Sequence, residues 1–86
     1  MKKEQKDIIN RLKRAEGQLR GIQKMMEEEQ ECIDIITQLS AVRSSINRTM
    51  GLVIANKMTK IIEEPSDNPA LQEKRLQEAI SLIVKK

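Results

Sequence analysis

Residues 32–57 read CIDIITQLSAVRSSINRTMGLVIANK, and the spacing of their apolar positions decides the fold. Ile35, Leu39, Val42, Ile46, Met50 and Val53 follow one another in steps of 4, 3, 4, 4 and 3, which is one face of an α-helix. Ile33, Ile36 and Ile54 lie off that face, so the helix is apolar on more than one side and is expected to pack between neighbours. Upstream, Ile8, Leu12, Ala15, Leu19, Ile22 and Met26 recur in steps of 4, 3, 4, 3 and 4, a heptad-like seam on a first helix. Downstream, Pro65 ends the second helix and Ser66, Asp67 and Asn68 are turn residues. Asn68 followed by Pro69 reads as an N-cap and first helical position. The third helix places Leu76, Ala79, Ile80 and Ile83 on one face and ends in Lys85 and Lys86, cations that suit a C-terminal dipole. The expectation is an all-α chain forming one domain over 1–86, with helices at about 4–28, 31–62 and 69–84. Only the first break is weakly signalled. No Gly or Pro lies between Gly21 and Gly51, and the acidic run Glu27–Glu31 is the expected place, with one long helix left open.

Composition removes several function classes. The 86 residues contain no Phe, Tyr or Trp, so base-stacking platforms of single-strand and RNA binders are absent. They contain no His, so no imidazole metal site or catalytic triad exists within the chain. One cysteine excludes an intrachain disulfide or a four-cysteine cage. With no Gly-rich phosphate loop and no plausible carboxylate pair, an enzyme is not expected. There is no signal-peptide pattern and no 18-residue apolar run, which predicts a soluble, cytoplasmic chain with no membrane partner.

The apolar faces are too many for a chain this short and lacking aromatics, so a helical homo-oligomer is expected, most simply a twofold dimer. Cys32 and Lys57 both fall on the seam of the second helix, within roughly 20° of one direction and roughly 37 Å apart. An antiparallel copy brings Cys32 of one subunit near Lys57 and Ile61 of the other, with the twofold axis crossing near Ser44 and Ser45. Cys32 reads either as a small buried hydrophobe or as a reactive thiol at a helix N-terminus, and the sequence leaves both open. Gly17 and Gly21 suggest close backbone packing, and the five methionines read as core filler.

Charge is arranged in blocks around a net of +3. Residues 1–25 carry eight Lys/Arg against three acids, residues 26–35 five acids and no base, and residues 36–60 four bases and no acid. Two readings follow: solvated helix faces, or a nucleic-acid surface built from both basic stretches. A helical adaptor that binds a partner helix is the alternative from another class. The acid-free 36–60 stretch favours DNA.

The run Arg11-Leu-Lys-Arg-Ala-Glu-Gly-Gln-Leu-Arg-Gly-Ile22, followed by Met25-Met-Glu-Glu, Cys32, Asp34-Ile-Ile-Thr-Gln-Leu-Ser-Ala41 and Arg48-Thr-Met-Gly51, resembles the CsoR/RcnR/FrmR family of bacterial transcriptional repressors. The resemblance covers nearly the whole chain and looks closest to the thiol- and persulfide-sensing branch. It implies a three-helix subunit, an antiparallel four-helix-bundle dimer and a dimer-of-dimers tetramer that represses by binding double-stranded operator DNA. It implies DNA contacts at Arg11, Lys13, Arg14, Arg20, Arg43 and Arg48, with Lys2, Lys3 and Lys6 adding phosphate contacts. It also implies effector sensing at Cys32 with residues of the partner subunit. Copper sensors of the family place His and Cys at the positions that here are Lys57 and Ile61, and nickel and cobalt sensors place His at both. Persulfide sensors carry a second cysteine where Ile61 stands, and formaldehyde sensors a proline where Lys2 stands. The expectation is therefore no metal and no cofactor. What remains is a thiol-reactive signal at Cys32 facing Lys57, or a repressor with no inducer response.

Overall fold

The computed structural model describes residues 2–85 as three helices: α1 (Lys3–Glu27), α2 (Cys32–Glu63) and α3 (Pro69–Lys85). No strand occurs among the described residues. Met1 and Lys86, expected as core filler and C-terminal cation, lie outside them. The chain divides into two compact units, Met1–Thr49 and Met50–Lys86. The first contains α1 and the beginning of α2, and the second the remainder of α2 with α3.

The weakly signalled break is real and has a definite mechanism. Glu29 takes a left-handed backbone conformation, φ 54°. The amide of Gln30 then donates to the carbonyl of Met25 at 3.0 Å, and that of Glu29 to Met26 at 3.1 Å. These paired bonds are a Schellman closure of α1, usually made with glycine at the left-handed position. Glutamate carries a β-carbon into that region at a cost of about 1 kcal/mol. Two residues later the carbonyl of Glu31 accepts from the amides of Asp34 and Ile35, so α2 opens with Cys32 as its first residue and Asp34 in its first turn. A carboxylate there complements the helix dipole.

In the first unit the seams of α1 and α2 are each split lengthwise. Ala15 and Ile22 of α1 are buried, as are Ile35, Val42 and Thr49 of α2. Ile22, Ile35 and Val42 form one cluster, with Met25 packed against it. Thr49 is satisfied because its hydroxyl donates to the Ser45 carbonyl at 2.9 Å. The other edge of each seam is uncovered: Leu12, Leu19 and Met26 on α1, and Leu39 and Ile46 on this part of α2. Met26 and Met50 are exposed, so the methionines are only partly core filler. No side chain among the described residues falls below 2% exposure, so the core of a single chain is thin.

In the second unit Ile54, Ile61 and Ala79 are the buried apolar residues. Asn68 caps α3: its Oδ1 accepts from the amides of Ala70 at 3.0 Å and Leu71 at 3.4 Å. Gln72 ties the connection together. Its Nε2 donates to the Ile61 carbonyl at 3.0 Å, and its Oε1 accepts from the Ser66 amide at 2.9 Å. The side chain thus closes a loose carbonyl at the end of α2 and an amide of the following loop.

Candidate nucleic-acid and effector interface

The basic residues of α1 are exposed along most of its length. Lys13, Arg14 and Arg20 are exposed, while Arg11 is half-buried. Arg20 meets Glu16 one turn earlier, N–O 3.6 Å, a surface pair that is worth little. At about 100° per residue, Lys13 lies about 20° from the direction of Lys6 and Lys24, Arg20 about 40° and Arg14 about 80°, whereas Arg11 lies about 180° from Arg20. On α2, Arg43 and Arg48 are both exposed and about 140° apart around the helix. The six residues expected at DNA therefore do not share one face of one subunit. Lys13 and Arg20 lie along a basic strip with Lys6, and Arg14 stands at its edge. Lys24 joins that strip, although the sequence reading had not singled it out. Its signal was available in the spacing Lys6, Lys13, Lys24, hidden because Lys24 borders the acidic run.

Close packing at Gly17 and Gly21 is not seen within the single chain. A β-carbon at Gly21 would meet nothing within 4 Å, and one at Gly17 only the Arg20 guanidinium, at 3.7 Å. Neither glycine is required by packing inside the chain.

Cys32 is free and exposed. As the first residue of α2 it stands in heptad register with Leu39, Ile46 and Val53, on the uncovered edge of the seam. Of the two readings of this thiol, a buried hydrophobe is not what the single chain displays. Lys57 is exposed. Ile61 is not: its side chain is 5% exposed and its carbonyl is held by Gln72. Among the described residues no group of three or more His, Cys, Asp or Glu side chains is gathered to hold a metal ion. The sequence has no His and a single Cys, so one chain alone does not assemble a site of several Cys and His ligands. No helix among the described residues is long and apolar enough to cross a membrane.

Comparison with known proteins agrees with this architecture. Residues 4–85 match the model of a family described as metal-sensitive transcriptional repressors. The chain is 54% identical over 44 residues to the copper-sensing transcriptional repressor CsoR of Bacillus subtilis, covering 51% of this chain and 44% of that protein. It is 54% identical over 44 residues to the copper-sensing repressor RicR of Mycobacterium tuberculosis, covering 50% of this chain and 46% of that protein. The chain thus spans less than half the length of these two curated relatives. Among solved structures, the Cu(I)-bound copper-sensing repressor CsoR of Geobacillus thermodenitrificans superposes with a TM-score of 0.78 at 34% identity, covering 99% of this chain and 88% of that one. The nickel-responsive regulator InrS superposes with a TM-score of 0.72 at 29% identity, covering 88% of each chain.

Proposed function

The chain belongs to the family of metal-sensitive transcriptional repressors, and from that premise we propose that it is a homo-oligomeric repressor that binds double-stranded operator DNA. The observation that carries the reading is the two-sidedness of α1. One side presents an uncovered apolar edge, Leu12, Leu19 and Met26, which a second copy would cover. The other presents mainly exposed cations, with Asp7 at its margin, which suits a phosphate backbone. Lys13, Arg14, Arg20, Arg43 and Arg48 are the contact set drawn from the oligomer as a whole, a dimer of antiparallel dimers, and Arg11, half-buried and about 180° from Arg20, is left out of it. Most of them serve phosphates and position the protein, with few reading bases. Repression of this kind takes place in the cytoplasm, where the operator is. The family is one of repressors and not of enzymes.

The effector position is Cys32, with Lys57 of the partner subunit beside it. The signal is thiol-reactive. The copper- and nickel-sensing relatives respond to metals, but Lys57 and Ile61 offer no ligand of the family kind. A persulfide fits the chemistry: the Cys32 thiolate takes the outer sulfur of R–S–SH, forming Cys32–S–SH and releasing the thiolate R–S⁻. The modified side chain is larger and lies in the apolar seam between subunits, so the bundle that presents the basic faces must repack.

The test combines intact-mass spectrometry with binding to an operator probe, before and after persulfide, peroxide, aldehyde, Cu(I) or Ni(II). The expected result is a mass increase at Cys32 that coincides with DNA release, both lost in Cys32→Ala. Release by Cu(I) or Ni(II) alone would replace the thiol signal with a metal. DNA binding untouched by every reagent would leave a repressor without an inducer. No DNA binding at all would turn the chain into a helical adaptor.

A further inference from the structure

Lys6, Lys13, Arg14 and Lys24 fall within about 80–100° of arc on α1, and Gly17 and Gly21 lie inside that arc. The four acids of α1, Glu4, Asp7, Glu16 and Glu27, all lie outside it. The arc runs about 27 Å from Lys6 to Lys24. Its four cations are exposed, and none of them forms an ion pair among the described residues.

Gly17 and Gly21 each weaken the helix by about 1 kcal/mol relative to alanine. Packing in the chain does not call for them, because a β-carbon at Gly21 has open space around it. A second copy on the apolar edge does not call for them either. Leu12 and Leu19 point about 140–180° away from the glycines around the same helix. The face around the glycines is mostly cationic, with Asp7, about 20° beyond Arg14, as the nearest acid of α1, and such a face suits a polyanion.

We infer that the Gly17–Gly21 segment of α1 is a close-approach point for the phosphodiester backbone of duplex DNA, with Lys6, Lys13, Arg14 and Lys24 bracketing it. This rests on the DNA-binding reading above and adds to it the face, the centre and the reason for the glycines. The cations supply the attraction. The glycines supply room, since their amides are engaged in the helix and are not free donors. Without β-carbons over one turn, the sugar-phosphate chain lies against the helix surface, and side chains from turns on either side reach around it. The arc also sorts the basic residues: Lys24 makes phosphate contact, and Arg11, half-buried on the far flank, does not contact DNA from this helix.

The experiment is fluorescence anisotropy of the full chain with two labelled duplexes, one of random sequence and one carrying the DNA upstream of its own operon. Gly21→Ala and Gly21→Leu are compared with wild type, alongside sedimentation and thermal unfolding of each. Gly21→Ala is expected to melt higher yet bind both duplexes more weakly. Gly21→Leu is expected to bind more than about tenfold more weakly with unchanged oligomeric mass. Lys24→Gln is expected to lower the slope of log affinity against log salt by about 1, and Arg11→Gln to leave it unchanged. Wild-type affinity in Gly21→Leu, or a changed oligomeric mass, overturns the inference and leaves the repressor reading standing. Failure of the wild-type chain to bind either duplex overturns both.

Discussion

Replacing Leu12 and Leu19 together with alanine tests whether the uncovered edge of α1 is a subunit interface. Leu12 is 52% exposed and Leu19 40% exposed in the single chain, and these are the fractions a partner has left to cover. Leucine to alanine removes three carbons, about 2.4 kcal/mol of transfer free energy when fully buried, at about 0.8 kcal/mol per group. Scaled by the exposed fractions, the pair contributes about 2 kcal/mol per protomer and about 4 kcal/mol per twofold dimer. That is roughly a thousandfold in the dimer dissociation constant. Alanine keeps the helix propensity high, and Ala15, Ile22, Ile35 and Val42 still form the intrachain core, so the monomer loses little of its own packing. Sedimentation velocity over a dilution series is the assay, with far-ultraviolet circular dichroism at the highest concentration as a check on helix content. The double variant is expected to dissociate at concentrations where wild type does not, and to lose operator binding in parallel. Identical sedimentation across the series would refute the assignment, because it would mean the edge is not what holds the copies together.

Other expectations follow from single features. Glu29→Gly removes a β-carbon from a left-handed residue and should raise stability by about 0.5–1 kcal/mol, read as an increase in the thermal midpoint at constant protein concentration. A lowered midpoint would mean that the Schellman closure of α1 does not form. Asn68→Ala removes the acceptor for two amides of α3 and should cost about 1 kcal/mol in chemical unfolding, with Asn68→Asp restoring most of it. Operator affinity should fall by orders of magnitude between low and moderate salt if several phosphates are contacted, and a flat response would contradict a phosphate-tracking face. Cys32→Ser should bind the operator with wild-type affinity in reducing buffer and ignore persulfide; weakened binding under those conditions would make Cys32 a packing residue.

The three helices and their general extents were legible because apolar residues recurred with helical period and because Asn68-Pro69 is a start signal with a local mechanism. The α1–α2 break was legible only as a place. Its cause, Glu29 in the left-handed region, leaves no trace in residue type, since glycine is the usual occupant and is absent there. The candidate site divided in the same way. Cys32, Lys57 and the arginines were visible as residue types at suggestive spacings. Lys24 is masked by the acidic run beside it, the open space at Gly21 has no signature in residue type, and nothing in the spacing reveals that Ile61 is buried with its carbonyl held by Gln72.

Residue order alone establishes which way each side chain points around its own helix, and with it the mainly basic side and the apolar side of α1. Periodicity and local capping contain that information because they depend only on neighbours within a few residues. The tertiary structure decided which edge of each apolar seam is covered. Ala15 and Leu19 obey the same heptad rule, yet one is buried and the other exposed, because burial depends on where another helix lies. A one-dimensional pattern records direction and not neighbour. The thin core, the uncovered edge with Cys32 at its head and the open ground beside Gly21 became visible only once α1 and α2 were placed together.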